Sequence, residues 1–210
     1  MIQNLPGTLL EAEKQFYDSL FASLECNYSS RISIDLKLEG LRLMPVAFRL
    51  FKKLNTANIK PFLLWPDAGA TALAKRDEPE ISQYIKSFKE AFQKEFLDKS
   101  EKLLIAVSPQ HYDYEEFEKL SNQYHGRIIM LNGKLDDAAI GIGSVARERR
   151  RLFISKWKNV YWLEPLSKGA LMHVYPNTWN LYRQTSSGYL FKKSYDSKPN
   201  PDIIFESLIA

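Results

Sequence analysis

The stretch Ile59 to Arg76, IKPFLLWPDAGATALAKR, constrains the fold of this chain more than any other. Its apolar run, Phe62 to Trp65, has the length of a strand and stops at Pro66-Asp67. Pro66 biases Trp65 towards extended geometry and Asp67 can cap a helix. Ala68, Gly69 and Ala70 leave the first helical turn nearly bare of side chains, so a ligand could approach that backbone closely. The pattern predicts a strand, a tight turn and a helix.

The flanking sequence extends this unit. Thr8-Leu9-Leu10-Glu11 has capping-box spacing, and Leu9, Phe16, Leu20 and Leu24 predict a first helix to about Glu25. Ile32, Ile34, Leu36 and Leu38 alternate with polar residues, which predicts a strand with one buried face near a sheet edge. Pro45 suits a first helical position, ahead of the stripe Ala47, Leu50, Phe51 and Leu54. After Glu78-Pro79, the stripe Ile81, Tyr84, Ile85, Phe88, Phe92 and Phe96 predicts one long helix. Strands follow at Leu103 to Val107 and Ile128 to Leu131, separated by a helix with Asp113 and Glu116 at capping-box spacing. Continuous apolar strands alternating with amphipathic helices are what a parallel sheet covered on both faces requires.

Beyond Ser155 the texture changes. VYWLEPL, ALMHVYP, TWNLYRQ and GYLFKK are strand-like and joined by turn residues, with a short helix from Asp202 to Leu208 at the end. The expected fold is therefore α/β: a mixed sheet with a parallel, helix-covered core and a C-terminal antiparallel extension over 160–196. Residues 1–210 are expected to form one domain, with YWL, Leu171, Val174, Trp179 and Leu190 supplying core.

Bulk properties narrow the function classes. A single cysteine, Cys26, excludes an intrachain disulfide or a multi-cysteine metal site and favours a reducing compartment. No apolar stretch approaches the roughly 20 residues that span a bilayer, and the N-terminus lacks a signal-peptide pattern. A cytoplasmic chain is expected. Net charge is +4, with most lysines interleaved among glutamates, so only ARERRR at 146–151 stands out. Dispersed lysines and modest charge argue against nucleic acid, although ARERRR with KWKNVYW keeps RNA or anionic lipid as a third reading.

Familiar catalytic motifs are missing. There is no phosphate-binding P-loop, Gly141-Ile142-Gly143 lacks the third glycine of a dinucleotide fingerprint, and there is no G-x-S-x-G elbow. His111, His125 and His173 fall in separate segments and read as ordinary polar or capping residues. Asp67, Asp136 and Asp137 each follow a predicted core strand, where open α/β sheets hold ligands, and could share a divalent cation such as magnesium. Asp67 as a cap and Asp136-Asp137 as a turn explain the same residues without a metal.

The arginine run breaks local rules. In a helix capped by Ser144 and running through Trp157, Val145, Leu152, Phe153 and Trp157 form the apolar face, and Arg149 points inward with them. Positive charge crowds the first two turns, where the helix dipole disfavours it. An anion site at Gly141, Gly143 and Ser144, served by Arg147, Arg149 and Arg150 and close to Asp67 and Gly69, is the expectation. A solvated basic face paired with acids elsewhere is the competing reading.

Four blocks occur in order: LPGTLLEA, WPDAGATALAKRD at 65–77, DDAAIGIGSVARERRRLF at 136–153 and YWLEPLSKGALMHVYPNTWNLY at 161–182. Nearly end to end, the chain resembles a domain-of-unknown-function family of cyanobacteria and chloroplasts that carries a PDAGA motif. That family also occurs appended to a chloroplast adenylate kinase and includes a plastid factor needed for photosystem II accumulation. Glu78-Pro79 departs from the family pattern, which has an aromatic after the Asp. The resemblance implies a photosynthetic host and an auxiliary or assembly role with photosystem or thylakoid proteins as partners, peripheral to the thylakoid membrane. It carries over no catalytic residue and no cofactor. A non-catalytic binding or assembly factor is thus the leading expectation. An enzyme or sensor for a phosphorylated metabolite or nucleotide at the strand carboxyl ends is the alternative.

Overall fold

The structure, a computed structural model, describes residues 3–93, 102–135 and 143–209. In chain order its elements are α1 (Leu9–Glu25), β1 (Arg31–Leu36), α2 (Leu43–Thr56), β2 (Phe62–Trp65), α3 (Ala68–Asp77), β3 (Ile85–Ser87), α4 (Phe88–Ala91), β4 (Leu104–Val107), α5 (Tyr114–Gln123), β5 (Ile128–Leu131), α6 (Ser144–Ser155), β6 (Lys158–Leu166), β7 (Gly169–Val174), β8 (Trp179–Thr185), β9 (Gly188–Tyr195) and α7 (Pro201–Ile209). The fold is α/β with a mixed sheet of nine strands in the order β3-β2-β4-β5-β1-β6-β7-β8-β9. Two compact units are distinguished: 29–33 with 42–158, and 1–28 with 34–41 and 159–210.

The first unit is parallel. β2 pairs with β3 and β4, and β4 with β5, all in parallel register. Every residue of β4 and β5 is buried, as strands covered on both faces must be. One face carries Leu64, Leu104, Ala106, Ile128 and Met130 against Phe88, Phe117, Phe153 and Trp157. Phe117 is the hub, with ring centroids 5.5 Å from Phe88, 5.2 Å from Trp157 and 6.1 Å from Phe153. Arg31 closes the end of α5: its guanidinium donates to the carbonyls of Ser121, Tyr124 and Gly126 at 2.5, 2.6 and 2.8 Å. The Ser121 and Tyr124 carbonyls are among the acceptors a helix leaves unsatisfied at its C-terminus, and Gly126 lies in the turn beyond.

The second unit is antiparallel through β6, β7, β8 and β9. On one face Phe16 of α1 lies edge-on to Tyr161 at 6.0 Å. On the other, Trp162, Leu171 and Trp179 cluster with Tyr195 and Ile204. His173 is a core residue here, stacked on Trp179 at 4.8 Å with Nε2 against the Asn159 carbonyl at 3.0 Å. α1 begins where the sequence predicts, with Thr8 accepting from the Glu11 amide at 3.2 Å and Glu11 accepting from Gly7 at 2.7 Å.

Several expectations need correction. The long helix expected after Glu78 is instead a 3-10 turn (Pro79–Tyr84), then β3, then α4; Phe96 lies outside the described residues. Ser87 and Glu90 form a capping box, with Glu90 N to Ser87 Oγ at 3.1 Å and Ser87 N to Glu90 Oε2 at 2.6 Å, and this fixes a helix start at Phe88. Ile85 then serves a strand opposite Leu63, fully buried. β1 is interior to the strand order rather than at an edge, and its alternating polar residues Ser33 and Asp35 are buried too. Pro45 is the third residue of α2, not the first. The Asp113 carboxylate accepts from the Gln110 amide at 2.8 Å instead of capping α5. α6 stops at Ser155 and buries a narrower face than expected: Phe153 and Trp157 are buried, whereas Val145 and Leu152 are 83 % and 55 % exposed. Leu190, expected in the core, is 59 % exposed.

Candidate functional site

The carboxyl ends of β2 and β4 bring two carboxylates into one neighbourhood. After β2, Asp67 caps α3: its Oδ1 accepts from the Ala70 amide at 2.8 Å. The bare space beside Gly69 is taken up by the same group, since a Cβ at Gly69 would lie 3.1 Å from Asp67 Oδ1. After β4, Ser108 turns the chain at φ 51°, and the Gln110 side chain donates to the Ser108 carbonyl and hydroxyl at 2.8 and 2.7 Å. This loop delivers His111 and Asp113. Burial holds the Asp113 carboxyl above its ordinary range against the pull of the Gln110 amide; the charge of Asp67 adds to the rise and His111 opposes it. β5 ends in the same way, with Asn132 at φ 52° and Lys134 N donating to the Pro109 carbonyl at 2.8 Å. The expected metal partners Asp136 and Asp137, and Gly141 of the expected anion site, lie outside the described residues. Among the described residues no group of three metal-ligating side chains occurs.

α6 presents a different surface. Gly143 is its N-cap and makes no side-chain hydrogen bond, and a Cβ placed there would meet nothing within 4 Å. Ser144 is the first helical residue, and the Arg147 amide already returns to the Gly143 carbonyl at 3.0 Å. Arg149 does face α5, but the guanidinium ends on Glu118 in the middle of that helix, with Nη2 to Oε2 at 2.5 Å and Nε to Oε1 at 3.2 Å. Its side chain stays 68 % exposed, whereas that of Glu118 is 7 % exposed. Glu118 also accepts from the Tyr114 hydroxyl at 2.9 Å. Burial first, and that carboxylate second, push the Tyr114 hydroxyl up to about 12. Arg150 lies over the Tyr114 ring at 4.5 Å. Among the described residues, Arg151 pairs locally, with Glu148 at 2.9 Å.

The structure thus gathers Ser144 and Arg149 with Glu118, Val145, Glu148 and Leu152 along one groove of about 640 Å³. Asp67 and Gly69 do not line it. Sequence reasoning missed Glu118, Tyr114 and the proximity of Asp113 to Asp67. A helical wheel for α5 puts Tyr114 and Glu118 four apart on one face, which was the available signal.

An α/β protein with a mixed sheet, a side-chain-capped α3, a glycine-capped α6 and no recognisable catalytic set among the described residues is the class defined so far. Within it, the chain belongs to the family described as a domain of unknown function (DUF1995), which it matches over residues 6–205. No curated protein and no solved structure matches it. No helix among the described residues is long and apolar enough to cross a membrane.

Proposed function

We propose that this chain is a non-catalytic binding or assembly factor, auxiliary to the photosynthetic apparatus of a cyanobacterium-like host and working in the cytoplasm, peripheral to thylakoid membranes. The observation that carries the binding part is the outer face of α6. Val145 and Leu152, two turns apart, are left exposed beside the Arg149–Glu118 and Arg151–Glu148 ion pairs. An apolar strip with a charge-paired rim is the composition of a protein contact. The photosynthetic assignment, with photosystem or thylakoid proteins as partners, rests on the resemblance of the PDAGA block and its three companions. The test is complementation of a deletion strain. Wild type restores photosystem II content and Val145→Asp with Leu152→Asp does not, although the variant folds. Unchanged photosystem II in the deletion strain would remove the photosynthetic assignment, and full complementation by the variant would remove the α6 face.

A second reading has its own observation. The α6 N-terminus has no side-chain cap, so its first-turn amides, with Arg147, Arg149 and Arg150 nearby, suit a phosphate-bearing small molecule. Asp67 and Gly69 fit that anion poorly, because the α3 amide is already occupied and Asp113 adds a second negative charge. Phosphate titration at low ionic strength, followed at the Ser144 amide, decides it: Arg149→Met should weaken binding well beyond Arg151→Met. An unmoved amide removes the reading.

A further inference from the structure

β9 is the last strand of the sheet order and pairs only with β8 among the described residues. Its eight residues span about 26 Å at 3.3 Å per residue. That is longer than a typical strand, and sheet edges are usually kept short, charged or covered, because the free row of amides and carbonyls is a template for another strand. The C-terminal half follows that rule with Lys192, which a register shift leaves as a bulge opposite Leu181 and Tyr182, and with Lys193, which lies over the Tyr195 ring at 5.1 Å. The N-terminal half does not: Tyr189, Leu190 and Phe191 are 45 %, 59 % and 40 % exposed in succession.

Tyr189 and Phe191, two apart, lie on the same face of the sheet. Across the ladder Phe191 stands opposite Tyr182, with rings edge-on at 6.1 Å. These three rings border a cavity of about 560 Å³ whose other walls include Leu5, Pro6 and Leu163. An apolar side chain of an added strand, projecting on that face, would have a place to go; the free backbone row would supply the pairing. Lys192 and Lys193 set the charge of what docks. A second copy paired in register in parallel, or antiparallel about Lys192–Lys193, would set these lysines beside each other, which disfavours those two modes of self-pairing. Among the described residues no lysine or arginine lines the cavity, so it lacks the positive groove that tracks a phosphate backbone, which disfavours single-stranded nucleic acid despite the rings.

We propose that β9 is a docking edge for an extended segment of another protein, one with apolar residues at alternate positions flanked by carboxylates. This surface belongs to the antiparallel unit, so it stands or falls separately from the α6 face. The probe is a fluorescein-labelled nine-residue peptide of alternating valine and threonine with two glutamates at each end, titrated against the full chain by fluorescence anisotropy. Saturable binding is expected, and N-methylation of every second amide should abolish it in one phase and spare it in the other, because only one row faces β9. Lys192→Glu with Lys193→Glu should weaken the acidic peptide at least about tenfold and favour a lysine-flanked version. Phe191→Ser should weaken both versions, with the fold intact by circular dichroism because the residue is exposed. The proposal is overturned by no binding up to about 1 mM, by equal binding of both N-methylated phases, or by tighter binding of a twelve-nucleotide oligouridylate. A dimer that dissociates on Leu190→Glu would overturn it too, by assigning the edge to a second copy.

Discussion

At the start of α3, Asp67 accepts from the Ala70 amide, the first turn carries no cation, and Lys75 and Arg76 close the last turn. At the start of α6, Gly143 offers no side chain, no acid occupies the first turn, and arginines fill the second. The first arrangement follows the helix dipole at its start and, apart from Asp77, at its end, and the second opposes it. What differs is the source of order. α3 is specified by its own sequence; α6 is held by what lies across from it, through Phe153 and Trp157 in the aromatic core and Arg149 on the buried Glu118. A helix that satisfies local rules needs little from its neighbours, whereas one that breaks them must be held by tertiary contacts.

The sharpest way to break this comparison is to remove the anchor. Phe153 is 2 % exposed, edge-on to Tyr114 at 5.5 Å and to Trp157 at 6.0 Å. Phe153→Ala should cost about 3–5 kcal/mol in urea unfolding, the usual range for a buried aromatic truncated in a core. An effect below about 1 kcal/mol would mean that α6 is not held through this contact. Arg149→Met should lower stability by less than Phe153→Ala and by more than Arg151→Met. It leaves the buried Glu118 carboxylate with only the Tyr114 hydroxyl among its described partners, whereas Arg151 leaves behind a half-exposed Glu148.

Next in size is the cap of α3. Asp67→Ala should cost about 1 kcal/mol, and Asp67→Asn should restore most of it, since asparagine caps as well. The same asparagine sharpens the electrostatic side. With the Asp67 charge gone, the Asp113 titration followed by NMR should move down towards its ordinary value. The sign for stability follows: Asp113 keeps its proton in the folded state at pH values where the unfolded chain has lost it. Folding stability therefore falls as pH rises from 3.8 through the raised value. Asp113→Asn should flatten that part of the profile while keeping an acceptor for the Gln110 amide. An Asp113 titration unmoved by Asp67→Asn would show that the Asp67 charge does not contribute to it.

These contrasts explain what the sequence made legible. β5 and the strand-turn-helix around Pro66-Asp67 could be read from the residues, because an apolar run, a proline and a capping acid act over a few positions. The antiparallel strands after Ser155 were legible for the same reason. The helix expected after Glu78 was not, since Ile81, Ile85 and Phe88 satisfy a helical period whether or not Ser87 starts a new element. Arg149 was read as inward-facing, yet its partner Glu118 lies 31 positions away and no local rule names it. Asp67 and Asp113 come together at the ends of the paired strands β2 and β4 for the same reason: long-range pairing is decided by topology, which local spacing does not encode.

The smallest expected effect concerns the missing cap of α6. Gly143 has φ −59° and ψ 160°, a conformation open to any residue, and free space where a Cβ would stand. Gly143→Asp therefore introduces no strain and supplies what Asp67 supplies to α3, a carboxylate for the first-turn amides and a counter-charge for the arginines behind it. Glycine is already a fair N-cap, so the gain should be only a few tenths of a kcal/mol, read as a slight rise in the urea midpoint. The same substitution would compete with any phosphate at those amides, so the phosphate-induced shift of Ser144 should disappear as stability rises. A rise in stability with phosphate binding intact would place the anion elsewhere. A fall in stability would show that the open start of α6 is already occupied by contacts that an aspartate disturbs, and the contrast with α3 would then lose its simplest explanation.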